Sequence, residues 1–160
     1  MRKQINHVSH VCFVFKKENL VIAMKKFQDA FNITDWDGPQ EFPAFGVVQA
    51  QSVSAGIEIM APLDDGDNPF AEHIRQKGEG FFALIYGVED LHKAAKMAQE
   101  KGIELQLGKD GRPIVYDSMV MHGDYIHKSW PTKMKTYREI PFSLFGINFF
   151  LGQIEPLQED

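Results

Sequence analysis

The chain contains a single cysteine, Cys12, which excludes an intramolecular disulfide framework and fits a reducing compartment. It also lacks any apolar run able to cross a bilayer: a run such as Phe81–Tyr86 falls far short of the roughly 20 residues that a membrane helix needs. Dense basic clusters are missing too. Lys128–Arg138 is only mildly basic and has Glu139 beside it, in a chain of net charge −5, so nucleic acid is not an expected partner. The opening Met1-Arg-Lys-Gln-Ile-Asn6 has neither the apolar core nor the small-residue cleavage site of a secretory signal. The expectation is a cytoplasmic protein with no membrane partner. Coenzyme A recognition is not visible in any phosphate-binding loop.

The 160 residues, 44% hydrophobic and 24% charged, suit one compact domain or two small modules sharing a core. Val8–Phe15 is rich in β-branched and aromatic residues and reads as a strand. Alternation places His10, Cys12 and Val14 on one face and Val11, Phe13 and Phe15 on the other. A helix is expected over Asn19–Asn32, with Leu20, Met24, Phe27 and Phe31 as its apolar stripe. Trp36–Pro39 and Phe42–Pro43 interrupt regular structure, and strands follow at Phe45–Ser52 and Gly56–Ala61. On the second of these, Glu58 and Met60 share a face opposite Ile57 and Ile59. Pro62–Pro69 is an acidic loop whose spacing does not match a calcium loop and reads as a solvated turn. Asn68 caps a short linker helix that starts at Pro69 and stops at Gly78.

The centre of the chain is Gly78-Glu-Gly-Phe-Phe-Ala-Leu-Ile-Tyr-Gly-Val-Glu-Asp-Leu91, a β-prone run leading into a helix over Leu91–Lys101, capped by Asp90 and stopped by Gly102. Strands are expected at Ile103–Leu107 and Pro113–Tyr116, and a closing hairpin at Ile140–Phe145 and Ile147–Ile154. His10–Phe15 superimposes on Ala83–Val88 at an offset of 73 residues, and each strand is followed by a helix. The expected architecture is therefore α+β, with one βαβββ unit given twice. Module one covers residues 5–67, the linker 68–78 and module two 79–156 with an insertion around 117–135, all in one domain of residues 1–160.

Ser9–Phe15, Gly56–Leu63 and Gly78–Leu91 resemble the vicinal oxygen chelate superfamily (glyoxalase, bleomycin-resistance and dioxygenase proteins), and the spacing is nearest to methylmalonyl-CoA epimerase. The resemblance implies that the two βαβββ modules form a curved mixed sheet of half-barrels around a cavity with the helices outside, a divalent metal on four residues and, commonly, a homodimer. Carried over, the first two ligands are His10 and Glu58, but the third and fourth positions hold Ala83 and Phe150, whose side chains have no lone pairs. No metal or other cofactor is expected on this count. A rebuilt metal site would combine His10 and Glu58 with His122 or His127 from the insertion.

Alternation turns Phe81, Ala83, Ile85, Asn148 and Phe150 toward the same expected cavity as His10, Cys12, Glu58 and Met60, a mostly apolar small-molecule pocket. Tyr125 and Trp130 are further ligand-binding candidates, as are Phe45 and Phe142 for the walls. Asn148 is suited to orient a carbonyl, and Tyr116 or Tyr125 to donate a proton. Phe13, Phe82, Tyr86, Phe149 and Leu151 are expected in the helix–sheet core. Burial raises the pKa of Glu58 unless a cation or donor pairs with it, and His10 is the natural partner. Cys12 reads as a buried core thiol with no activating neighbour in sequence.

Three functions remain open at this level. The first is a metal-independent isomerase, epimerase or lyase moving a proton next to a carbonyl on a hydrophobic substrate, with Glu58 as base and His10 as acid or orienter. The second is a non-catalytic protein that binds or sequesters a hydrophobic small molecule, as bleomycin-resistance proteins do. The third is a metal-dependent epimerase or glyoxalase with the rebuilt ligand set.

Overall fold

The computed structural model describes residues 7–117 and 134–156. The chain divides into two compact units: His10–Phe82, and Ala83 onward together with the start of the chain up to Ser9. In order, the elements are β1 (His7–Val14), α1 (Leu20–Phe31), β2 (Asp37–Phe42), β3 (Val47–Ser52), β4 (Ile57–Pro62), α2 (Pro69–Lys77), β5 (Gly80–Gly87), α3 (Leu91–Glu100), β6 (Tyr116–Asp117), β7 (Met134–Leu144) and β8 (Ile147–Pro156). The α+β class and the doubled βαβββ order are both present. β1 and β5 differ by 73 residues at each end, the offset read from the sequence.

In the first unit the strands lie in the order β2-β3-β4-β1. β1 runs parallel to β4, while β3 is antiparallel to both β2 and β4. One face of this sheet is apolar: Val48, Ala50, Ile59 and Ala61 are buried against Leu20, Ala23 and Met24 of α1. Helix α1 begins where Glu79 accepts hydrogen bonds from the Lys16 amide at 2.7 Å and the Asn19 side chain at 2.9 Å. It ends at Asn32, whose left-handed φ of 54° terminates the helix. Phe31 was expected in the buried stripe but is 65% exposed. Asn32 stops the helix directly after it, and Ala23 occupies the buried position on the preceding turns. Asn68 caps α2 as anticipated, accepting from the Phe70 amide at 2.8 Å, and its own amide donates to Gly46 O at 2.9 Å.

The second unit repeats the order as β6-β7-β8-β5, with β5 parallel to β8 and the other pairs antiparallel. Its core joins Leu91 and Ala95 of α3 to Leu105, Ile140 and Leu151. Asp90 caps α3 by accepting from the Lys93 amide at 2.9 Å. The β7–β8 hairpin turns through Phe145 and Gly146, both at positive φ (55° and 73°), as a two-residue loop with right-handed strand twist requires.

Several sequence expectations are corrected. Residues 37–42 form β2 despite Gly38 and Pro39, because β2 is an edge strand that tolerates a missing N–H. At Gly38 (φ 98°) a Cβ would lie 2.5 Å from the Gln49 carbonyl oxygen, so the close approach of β2 to β3 needs glycine. Phe45 belongs to a 3-10 turn at Pro43–Phe45, and β3 starts two residues later. The strands expected at Ile103–Leu107 and Pro113–Tyr116 shrink to the bridges Leu105–Phe142 and Leu107–Pro113 and to the short β6. β7 starts at Met134, within the expected insertion. Tyr86 is 39% exposed rather than core. Phe142 is packed with the α3 core and stacks on Phe149 at 5.5 Å instead of forming a pocket wall. Among the described residues, no helix is long and apolar enough to cross a membrane.

Candidate functional site

The side of the first unit's sheet opposite α1 mixes polar and apolar side chains. In register, Cys12 lies across from Glu58, Glu58 across from Gln51, and Met60 across from both Val14 and Gln49. β3 is buried along its whole length, including Gln49 (6% exposed) and Gln51 (4%). Its alternation sends Val48 and Ala50 to the α1 core and the two glutamines to the face of Glu58. His10, two residues before Cys12 on β1, shares this face and is buried.

Glu58 is the hub. Its Oε2 lies 3.6 Å from His10 Nε2, with the carboxylate side chain 13% exposed. Its Oε1 accepts a hydrogen bond from the Gln49 amide. Burial by itself raises the carboxyl pKa, but the neighbouring His10 imidazole, the Cys12 thiol and the Gln49 amide outweigh it and hold the group below the ordinary glutamate value. The condition attached to the sequence expectation is therefore met: donors pair with Glu58, and it is ionised at neutral pH. The Cys12 thiol, buried at 3% exposure, contributes to that lowering, and its Sγ also lies 3.8 Å from the Phe13 carbonyl oxygen.

This face carries a histidine, a glutamate and two glutamines together with Cys12, Val14 and Met60. Gln49 and Gln51 were not singled out from the sequence. The signal was present: Gln at alternate positions between Val48 and Ala50 puts both on one face of a strand already expected there.

Phe81 is not with His10 and Glu58. Its ring stands edge-on to Phe13 at 6.5 Å, Phe13 in turn packs on Phe27 of α1 at 4.9 Å, and Phe81 is 43% exposed. In the second unit, Ala83 pairs with Asn148 and Ile85 with Phe150, so these four share a face of their own sheet. Ala83 and Ile85 are buried, and Tyr116, 36% exposed, has its ring 6.5 Å from Phe150. His122, Tyr125, His127 and Trp130 lie outside the described residues.

Of the four positions that the resemblance assigns to a divalent metal, His10 and Glu58 meet. Both Glu58 oxygens are already directed at protein donors, and Ala83 and Phe150 offer no donor atoms. Among the described residues, no group of three or more His, Cys, Asp or Glu is placed to hold an ion. The described residues do not fit a four-ligand centre.

The doubled βαβββ unit, each with a mixed four-stranded sheet, is the fold of the vicinal oxygen chelate proteins. Among solved structures the chain is similar to the Streptomyces coelicolor methylmalonyl-CoA epimerase in complex with 2-nitronate-propionyl-CoA, with a TM-score of 0.65 and 13% identity, covering 94% of this chain and 98% of that one. It is also similar to the methylmalonyl-CoA epimerase of Mycobacterium tuberculosis (TM-score 0.64, 18% identity, 99% and 93% covered). A third is a hypothetical protein of Bacillus halodurans C-125 (TM-score 0.68, 15% identity, 98% and 100% covered). Identities this low speak for the fold alone. No family model and no curated protein matches the chain.

Proposed function

We propose that the protein binds a hydrophobic small molecule over the His10–Glu58 face and moves a proton on a carbon next to a carbonyl, as a metal-independent isomerase, epimerase or lyase. The observation that carries this reading is a carboxylate kept ionised in a nearly closed setting, beside a buried imidazole 3.6 Å away. Glu58 is the base that takes the proton from carbon. His10 orients the carboxylate or returns a proton to the enolate. Cys12 and Met60 border the reacting group on this face. Ala83, Ile85, Asn148 and Phe150 share a face of the second unit's own sheet, a second apolar surface with one amide.

The test is solvent-deuterium incorporation at the α-carbon, read by mass spectrometry. Methylmalonyl-CoA is the first compound, because the similar structures are its epimerases, followed by aryl and branched-alkyl ketones. Wild type should exchange. Glu58→Gln should lose the exchange by about 10²–10⁴-fold while keeping its circular dichroism spectrum. Undiminished exchange in the variant refutes the role of Glu58.

One observation favours a binding protein instead. The donors that hold Glu58 ionised also lower its basicity, which weakens it as a carbon base. That reading predicts tight binding of the same ketones with every molecule recovered unchanged, and recovery of a deuterated or isomerised product rules it out.

A further inference from the structure

The two glutamines of β3 are not equivalent. Gln49 is occupied within the protein, donating to Glu58. Gln51 is directly opposite Glu58 in the β3–β4 register, is 4% exposed, and its Oε1 has no hydrogen-bond partner. A buried amide oxygen without a partner is a standing cost, and an apolar residue of the same shape would avoid it.

The register sets Gln51 between Asp37 of β2 and Glu58 of β4. Gln51, Glu58 and Cys12 stand side by side across β3, β4 and β1. Strands are about 4.8 Å apart, so groups that engage Gln51 and Glu58 together lie on adjacent atoms of one ligand. The last torsion of glutamine is soft, and the amide turns readily to present its oxygen.

We infer that Gln51 is a ligand-contacting, specificity-determining residue: its Oε1 accepts a hydrogen bond from an O–H or N–H group borne by the carbon that faces Glu58. The substrate class is then a hydrophobic carbonyl compound carrying a hydroxyl or N–H on the carbon next to the carbonyl. This rests on the reading of the Glu58 face as the ligand site.

The probes are 2-hydroxyacetophenone and 2-methoxyacetophenone, which differ in the O–H donor and one methyl group; a preference set by the methyl group alone would survive substitution of Gln51. Their dissociation constants are measured by calorimetry for wild type and Gln51→Met, with Gln51→Leu as a second variant should the first fold poorly. Wild type should prefer the hydroxy ketone by about tenfold, and the preference should fall to near one in either variant without a lower melting temperature. Equal binding by wild type, no binding of either ketone, a preference that survives the substitution, or equal weakening of both ketones would each overturn the inference. Deuterium exchange followed in the same samples separates the two readings. A preference without exchange sinks proton transfer and leaves the Gln51 contact standing; exchange with a ratio of one does the reverse.

Discussion

The bond from Gln49 to Glu58 is the most direct handle on this site, because it joins a buried donor to a carboxylate within one unit. Hydrogen bonds to charged groups contribute about 1.5–3 kcal/mol, against about 0.5–1.5 for neutral pairs. Gln49→Leu removes the charged bond but also trades an amide for apolar surface at a site that is 6% exposed, which offsets part of the loss. The single variant alone is therefore ambiguous, and a double-mutant cycle with Glu58→Gln isolates the pair. In the Glu58→Gln background the bond is neutral and the loss of Gln49 should weigh less, leaving a coupling of about 1 kcal/mol. Urea denaturation of all four proteins at pH 7 gives this number. Repeating the cycle below the carboxyl pKa should shrink it, because protonated Glu58 is no longer an anion. Substitutions that add to within about 0.5 kcal/mol at pH 7 would refute the donor-cage account of Glu58.

Other outcomes follow from the same structure. Ile59→Ala empties a fully buried position in the α1 core and should cost about 2–5 kcal/mol in chemical denaturation, whereas Phe31→Ala, at a 65% exposed position, should cost under about 1. Asn68→Ala loses both the α2 cap and the bond to Gly46 O, so it should destabilise more than Asp90→Ala, whose cap bond to Lys93 is worth about 1 kcal/mol; equal melting temperatures would contradict this. In acid, a carboxyl whose folded pKa lies below its unfolded value contributes fully above the unfolded value, about 4.3. That contribution disappears as the pH falls through the lower folded value. Glu58→Gln should accordingly flatten the stability profile below about pH 4.5 relative to wild type, and an unchanged acid limb would tell against the pairing.

The architecture was legible because its signals are local. Asn68 and Asp90 before apolar stripes mark helix starts, and the recurrence of the His10 strand at Ala83 marks the duplication. β2 was missed because Gly38 and Pro39 look like breakers unless the strand is known to lie at an edge, which is a property of the whole sheet. Phe31 was assigned to the core by periodicity, yet periodicity does not say which turns of a helix stay covered. His10 and Glu58 were found as a pair through strand alternation and resemblance. The direction of the Glu58 pKa depended on the donors around it, and Gln49 reaches Glu58 from an adjacent strand by a bond that only register reveals. The same register distinguishes Gln51 from Gln49, two identical residues in a sequence window.

The central claim is that Glu58 stands ionised among His10, Cys12 and Gln49. A carbon-13 NMR titration of the Glu58 side-chain carboxyl, assigned by comparison with Glu58→Gln, tests it directly. The account predicts a midpoint below the ordinary glutamate value of about 4.3, moving upward when Gln49 is replaced by leucine. A midpoint above that value in the wild-type protein would mean that burial outweighs the donors, and would contradict it.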